Sequence, residues 1–142
     1  MKIIIGSDKD GFELKEHLKK YLKNKNYEVI DKTPEKNLDF VESTNLVANA
    51  MLNKEGDRGI VIDEYGQGSF MVANKHKGII CAVVSEEHSA KMTREHNNAC
   101  IISMGSGIVG KRLAEELVDA YLNADYAAGR HQIRVDMLNK ML

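Results

Sequence analysis

The chain has 142 residues, 43% hydrophobic and 29% charged, with a formal net charge of −1, enough for one domain with a real core. A nearly neutral balance gives no electrostatic reason to expect nucleic acid or an anionic membrane surface. No apolar run approaches a membrane span, and the opening Met1-Lys2-Ile3-Ile4-Ile5-Gly6 is too short and too soon broken to read as a signal peptide.

Residues 2–6 form a short apolar run that reads as a buried strand. Residues 11–24 read as a helix, with Phe12, Leu14, Leu18, Tyr21 and Leu22 toward one side. Residues 27–31 form a second strand, and the polar stretch 32–39, which holds the only proline, Pro34, is a loop. A second helix is expected over 40–53. A third strand at 59–63 is followed by a Gly66/Gly68 loop and a short helix ending near Asn74. Residues 79–84 give strand four, 86–95 helix four, 99–104 strand five, 107–124 a long helix and 132–141 a last one. Continuous apolar strands alternating with helices imply a parallel sheet covered on both faces. Right-handed crossovers then give a doubly wound, three-layer α/β/α domain with a five-stranded parallel sheet, Rossmann-like, over residues 1–142.

In such a sheet a ligand is expected beyond the carboxyl ends of the strands, at 7–11, 32–39, 63–68, 85–87 and 105–110. Glycines in three of these segments leave amides free for close approach at helix N-termini. Gly105-Ser106-Gly107-Ile108-Val109-Gly110 matches G-x-G-x-x-G, but it follows the fifth strand, and Asp125, the nearest acidic candidate, closes a helix rather than a strand. As a Walker loop it lacks the hydroxyl after Lys111, where Arg112 stands. The simpler reading is a helix start that packs tightly on the sheet and can help hold an anion. Cys81 and Cys100 have no CxxC spacing and read as reduced core residues of a cytoplasmic protein, Cys100 inside strand five. No metal-ligand spacing occurs and no cofactor is implied.

Two polar clusters remain. Arg94-Glu95-His96-Asn97-Asn98 offers a histidine able to move protons near neutral pH. Gly129-Arg130-His131-Gln132-Ile133-Arg134 places two arginines four residues apart, on one face of a helix. Each planar guanidinium can donate two hydrogen bonds, so the pair suits a phosphate dianion. The plainer alternatives are that His96 caps a helix and that the arginines form a solvated face. His131 reads as packing or capping at the start of the last helix, and Asp8 as holding the first loop.

With Ile5-Gly6-Ser7-Asp8-Lys9-Asp10-Gly11-Phe12, the Gly66/Gly68 loop, Val72-Ala73-Asn74-Lys75 and both clusters assembled, the whole chain resembles the ribose-5-phosphate isomerase B / galactose-6-phosphate isomerase family. That resemblance implies aldose–ketose isomerisation of a sugar phosphate, with active sites at subunit contacts. It implies His96 as the catalytic histidine that opens the sugar ring, Asn97 as a contact to sugar hydroxyls, and Arg130 and Arg134 as the phosphate clamp. The family loop after strand three usually reads Cys-Gly-Thr-Gly-x-Gly, and its cysteine takes the C2 proton. Here the loop is Asp63-Glu64-Tyr65-Gly66-Gln67-Gly68, so that base is missing. A paralogous subunit that keeps the cysteine, as in heteromeric galactose-6-phosphate isomerases, would supply it. The alternatives are a homomeric ribose or allose phosphate isomerase with Asp63 as base, or a catalytically dead sugar-phosphate-binding subunit.

Overall fold

A computed structural model describes all residues 1–142. It contains β1 (Lys2–Ser7), α1 (Phe12–Asn24), β2 (Glu28–Asp31), α2 (Phe40–Leu52), β3 (Arg58–Asp63), α3 (Gln67–Asn74), β4 (Cys81–Val83), α4 (Glu87–Asn97), β5 (Ile101–Gly105), α5 (Lys111–Leu122), a 3₁₀ turn at Gly129–His131 and α6 (Gln132–Lys140). The five strands form one parallel sheet in the order β2-β1-β3-β5-β4. This is the three-layer α/β/α, Rossmann-like architecture expected from the strand pattern. No helix is long and apolar enough to cross a membrane.

Strand side chains alternate between the two faces, and the burial follows that alternation. Ile3, Ile5, Ile60, Ile62, Ile102 and Met104 enter one core with Leu14, Leu18 and Leu22 of α1, Ala90 of α4 and Leu117 and Val118 of α5. Ile4, Val61 and Ile101 enter the other with Val47 and Ala50 of α2 and Ala73 of α3. Every helix after a strand therefore runs back antiparallel to it. The starts of α1, α3, α4 and α5 lie at the carboxyl ends of the strands, and their ends lie at the amino ends.

Several boundaries differ from expectation for local reasons. α5 begins at Lys111 rather than near Gly107, because the amides of Ser106 and Gly107 donate to the carbonyls of Asp63 (2.9 Å) and Glu64 (2.7 Å) and hold 105–110 as a turn. α4 continues through His96 and Asn97, stopping only where Asn98 adopts a left-handed conformation, φ 53°. β4 is reduced to three residues. Cys100 precedes β5 and is only partly buried, its thiol 3.6 Å from the Ile80 carbonyl. Arg130 and Arg134 do not share one α-helix, since the first lies in the 3₁₀ turn and the second in α6.

Candidate functional site

At the carboxyl ends of β1 and β3 the first loop is held as its sequence implies. Asp8 accepts hydrogen bonds from the amides of Asp10 and Gly11, both at 2.9 Å. The neighbouring β3–α3 loop is closed on itself. One carboxylate oxygen of Asp63 accepts the Gly66 amide at 2.5 Å and the other accepts the Ser69 amide at 3.0 Å. These amides belong to the first turn of α3, where positive partial charge favours an anion. The Asp63 side chain occupies that position. Gly66 sits at φ +84°, and a Cβ on Gly105 would lie 2.4 Å from the Tyr65 backbone, so the two loops can touch only with glycine at these positions. Tyr65 is exposed and Glu64 stands beside it. The amides of the G-x-G-x-x-G stretch are spent internally, on Asp63, Glu64 and, from Ile108 and Val109, on Gly105. The Ser106 to Val109 amides are thus engaged within the chain, whereas in the β3–α3 loop Asp63 takes up only the amides of Gly66 and Ser69.

The histidine and arginine cluster lies elsewhere. His96 is on the last turn of α4, at the amino end of the sheet. The connection from α5 crosses beneath it, tied by the Ala127 amide to the Glu95 carbonyl at 2.9 Å. Two consecutive positive-φ residues, Ala128 (φ 53°) and Gly129 (φ 55°), then swing the 3₁₀ turn against the end of α4. There the His131 ring stacks on His96, centroids 4.2 Å apart and planes within 14°. Partial burial, with His96, Arg130 and Arg134 close by, holds His131 below the usual imidazole range. Both arginines are exposed. The ion pairs within the chain engage lysines, His17 and Arg112, which leaves both guanidiniums free to take an outside anion.

Arg94, from the same sequence cluster, has a different task. It is buried and donates to the Ala99 carbonyl at 2.7 Å and to the Asn98 side chain. Tyr121 donates to the same carbonyl at 2.9 Å. These bonds pin the residue that follows α4, whose amide returns to the Thr93 carbonyl at 3.1 Å, and so hold the end of the helix that carries His96. Asn97 is exposed and also lines an apolar groove of about 830 Å³ along the β4 edge, with Phe70, Ile79, Leu138 and Met141. Val135 is buried and anchors α6, while Ile133, Met137, Leu138, Met141 and Leu142 stay exposed.

The two clusters are thus at opposite ends of one sheet. The five residues of β5 alone set them roughly 15 Å apart at about 3.3 Å per residue. The glycine loops lie at the strand carboxyl ends, where their places after β3 and β5 put them, while His96, Arg130, His131 and Arg134 lie at the amino end. The stacking of His131 on His96 is missing from the sequence reading, in which His131 only packs or caps. The one available signal was its place beside Arg130 and Arg134.

Residues 3–138 match the family described as Ribose/Galactose Isomerase. The chain is 70% identical, over the full length of both, to the galactose-6-phosphate isomerase subunit LacA of Clostridium acetobutylicum. It is 56% identical to the LacA subunit of Staphylococcus epidermidis, over 99% of each chain. Among solved structures it superposes with a TM-score of 0.95 on the ribose-5-phosphate isomerase B of Clostridium thermocellum, at 42% identity, covering 99% of this chain and 96% of that one.

Proposed function

This chain belongs to the ribose/galactose isomerase family, and on that premise we propose that it is the A-type subunit of a heteromeric isomerase interconverting D-galactose 6-phosphate and D-tagatose 6-phosphate. Residues 1–142 act as one isomerase domain. A paralogous B-type subunit provides the cysteine base, and this chain provides the ring-opening and phosphate-binding half. The reading rests above all on one observation: His96, Arg130 and Arg134 stand at the amino end of the sheet, away from the chain's own β3–α3 loop. A half-site so placed supports completion by a second chain, and the missing cysteine in Asp63-Glu64-Tyr65 favours the paralogue over a copy.

In this account His96 exchanges protons with the ring and hydroxyl oxygens, and Asn97 orients the sugar. Arg130 and Arg134 hold the phosphate, which is remote from the reacting carbons, so its binding energy positions C1 and C2 at the partner's thiolate. The proposal is tested by co-purifying the chain with its paralogue and assaying ketose formation from D-galactose 6-phosphate and from D-ribose 5-phosphate. Preference for the galactose substrate supports it, and preference for ribose 5-phosphate rejects it.

Arg134→Ala should raise KM for the sugar phosphate by about 10–100-fold, since a hydrogen-bonded charge contributes roughly 1.5–3 kcal/mol. Steady-state kinetics of the mixed enzyme check this, and any fall in kcat should be the smaller effect. Asp63→Asn separates the proposal from a self-sufficient isomerase. Both oxygens of Asp63 already accept backbone amides, so the side chain is engaged in holding its own loop. The substitution should cost about 1–3 kcal/mol of stability through a lost acceptor and leave the mixed enzyme's turnover per folded molecule intact. Turnover that collapses in the folded variant would restore Asp63 as the base.

A further inference from the structure

The imidazole stack is more than one histidine needs. His96 and His131 lie face to face at 4.2 Å, both partly accessible, with Arg130 and Arg134 beside them and Glu95 the nearest acidic neighbour in sequence. A proton on either ring opposes a second on the other, and the two guanidiniums add to that opposition. Two stacked imidazoles, each ring able to give or take a proton, put an acid and a base on the same small surface. All four residues come from one chain, within 39 positions from His96 to Arg134.

We propose that this chain, without any carbon base, catalyses the exchange of hexose 6-phosphate anomers through the His96–His131 pair. The inference rests on the reading of the cluster as a sugar-phosphate half-site. The neutral ring takes the proton from O1. The O1 electron pair forms the C1 carbonyl as the C1–O5 bond breaks, and O5 takes the proton of the other ring. Each imidazole has then changed places with its neighbour in protonation, and no net proton is gained or lost. Rotation about C1–C2 exposes the other carbonyl face. The reverse transfers close the opposite anomer and restore the pair. No hydrogen leaves carbon, so no thiol and no second subunit are required.

The experiment is proton exchange spectroscopy on D-galactose 6-phosphate, following the H1 signals of the two anomers with the purified full-length chain alone. Calorimetry on the same samples records sugar-phosphate binding. The expected result is an interconversion rate that rises in proportion to chain concentration, with no ketose formed. His96→Gln and His131→Phe should each reduce that acceleration by about 10²-fold, while calorimetry still shows binding. Phenylalanine keeps a flat ring for the stack, so its loss of rate would isolate the proton-carrying role of His131. A chain that gives no acceleration, whether or not it binds the sugar, overturns the inference and leaves the heteromeric reading standing. Acceleration that survives His131→Phe also overturns it. Ketose formed by the lone chain overturns both, because the exchange would then belong to a complete isomerase.

Discussion

Replacing His96 by Gln should lower turnover of the assembled enzyme by about 10²–10⁴-fold, the usual range for loss of a positioned general acid–base. On the proposed reading, ring opening is lost while Arg130 and Arg134 still hold the phosphate, so the effect should fall on kcat and kcat/KM together. The fold should be untouched. His96 is only partly buried, and the end of α4 is secured by Arg94 and Tyr121 instead, through the Ala99 carbonyl. Unchanged melting with lost turnover would place His96 in the chemistry. Lost melting temperature with normal turnover of the folded fraction would place it in the scaffold.

The second large effect concerns stability. Lys15 on α1 is fully buried, with its ammonium 2.8 Å from Asp31 and 2.6 Å from the Thr33 carbonyl. Lys19 reaches the same Asp31 oxygen at 2.8 Å. The network ties the carboxyl end of β2 to that of β1, because Thr33 in turn accepts the Ser7 amide at 2.9 Å. Asp31→Ala strands a buried ammonium and should cost about 3–5 kcal/mol, read as a fall in melting temperature of roughly 10 °C or more. Replacing Lys15 by Met as well should recover much of the loss, since the uncompensated charge is then gone. A single variant that melts like the parent would show that the pair is dispensable.

The same carboxylate sets a pH dependence. Burial alone would raise the pKa of Asp31, but hydrogen bonds from Lys15, Lys19 and the Thr33 amide outweigh it and leave the group below the usual 3.8. A depressed carboxylate stabilises the folded state fully above the unfolded value. That contribution disappears as pH falls from there through the folded pKa, so this part of the stability should be flat near neutrality and lost only in acid.

The fold was legible because strand and helix signals agreed locally. Ile3-Ile4-Ile5, Ile60-Val61-Ile62 and Ile101-Ile102 are buried on both faces, and such runs have no other comfortable place than the middle of a parallel sheet. The glycine loops were placed correctly. Spacing alone shows that amides are near a helix start, and it cannot show that Asp63 takes two of them, those of Gly66 and Ser69. Nor can spacing show which end of the sheet a cluster reaches. His96 closes α4, and the 3₁₀ turn finds it only because residues 123–128 double back beneath the sheet, a path set by tertiary packing. Lys15 is the sharpest example. A lysine among Glu13, Glu16, Lys19 and Lys20 reads as surface, yet it lies on the inner face of α1 because Asp31 and Thr33 meet it there.

Division of one active site between two polypeptides is the claim on which the account turns. It is measured by adding the purified paralogous subunit in increasing amounts to a fixed quantity of this chain and following tagatose 6-phosphate formation. The account predicts no ketose from either protein alone, activity that climbs and saturates with the paralogue, and none when this chain carries His96→Gln. Full activity from this chain alone, or a mixture indifferent to His96→Gln, would contradict it.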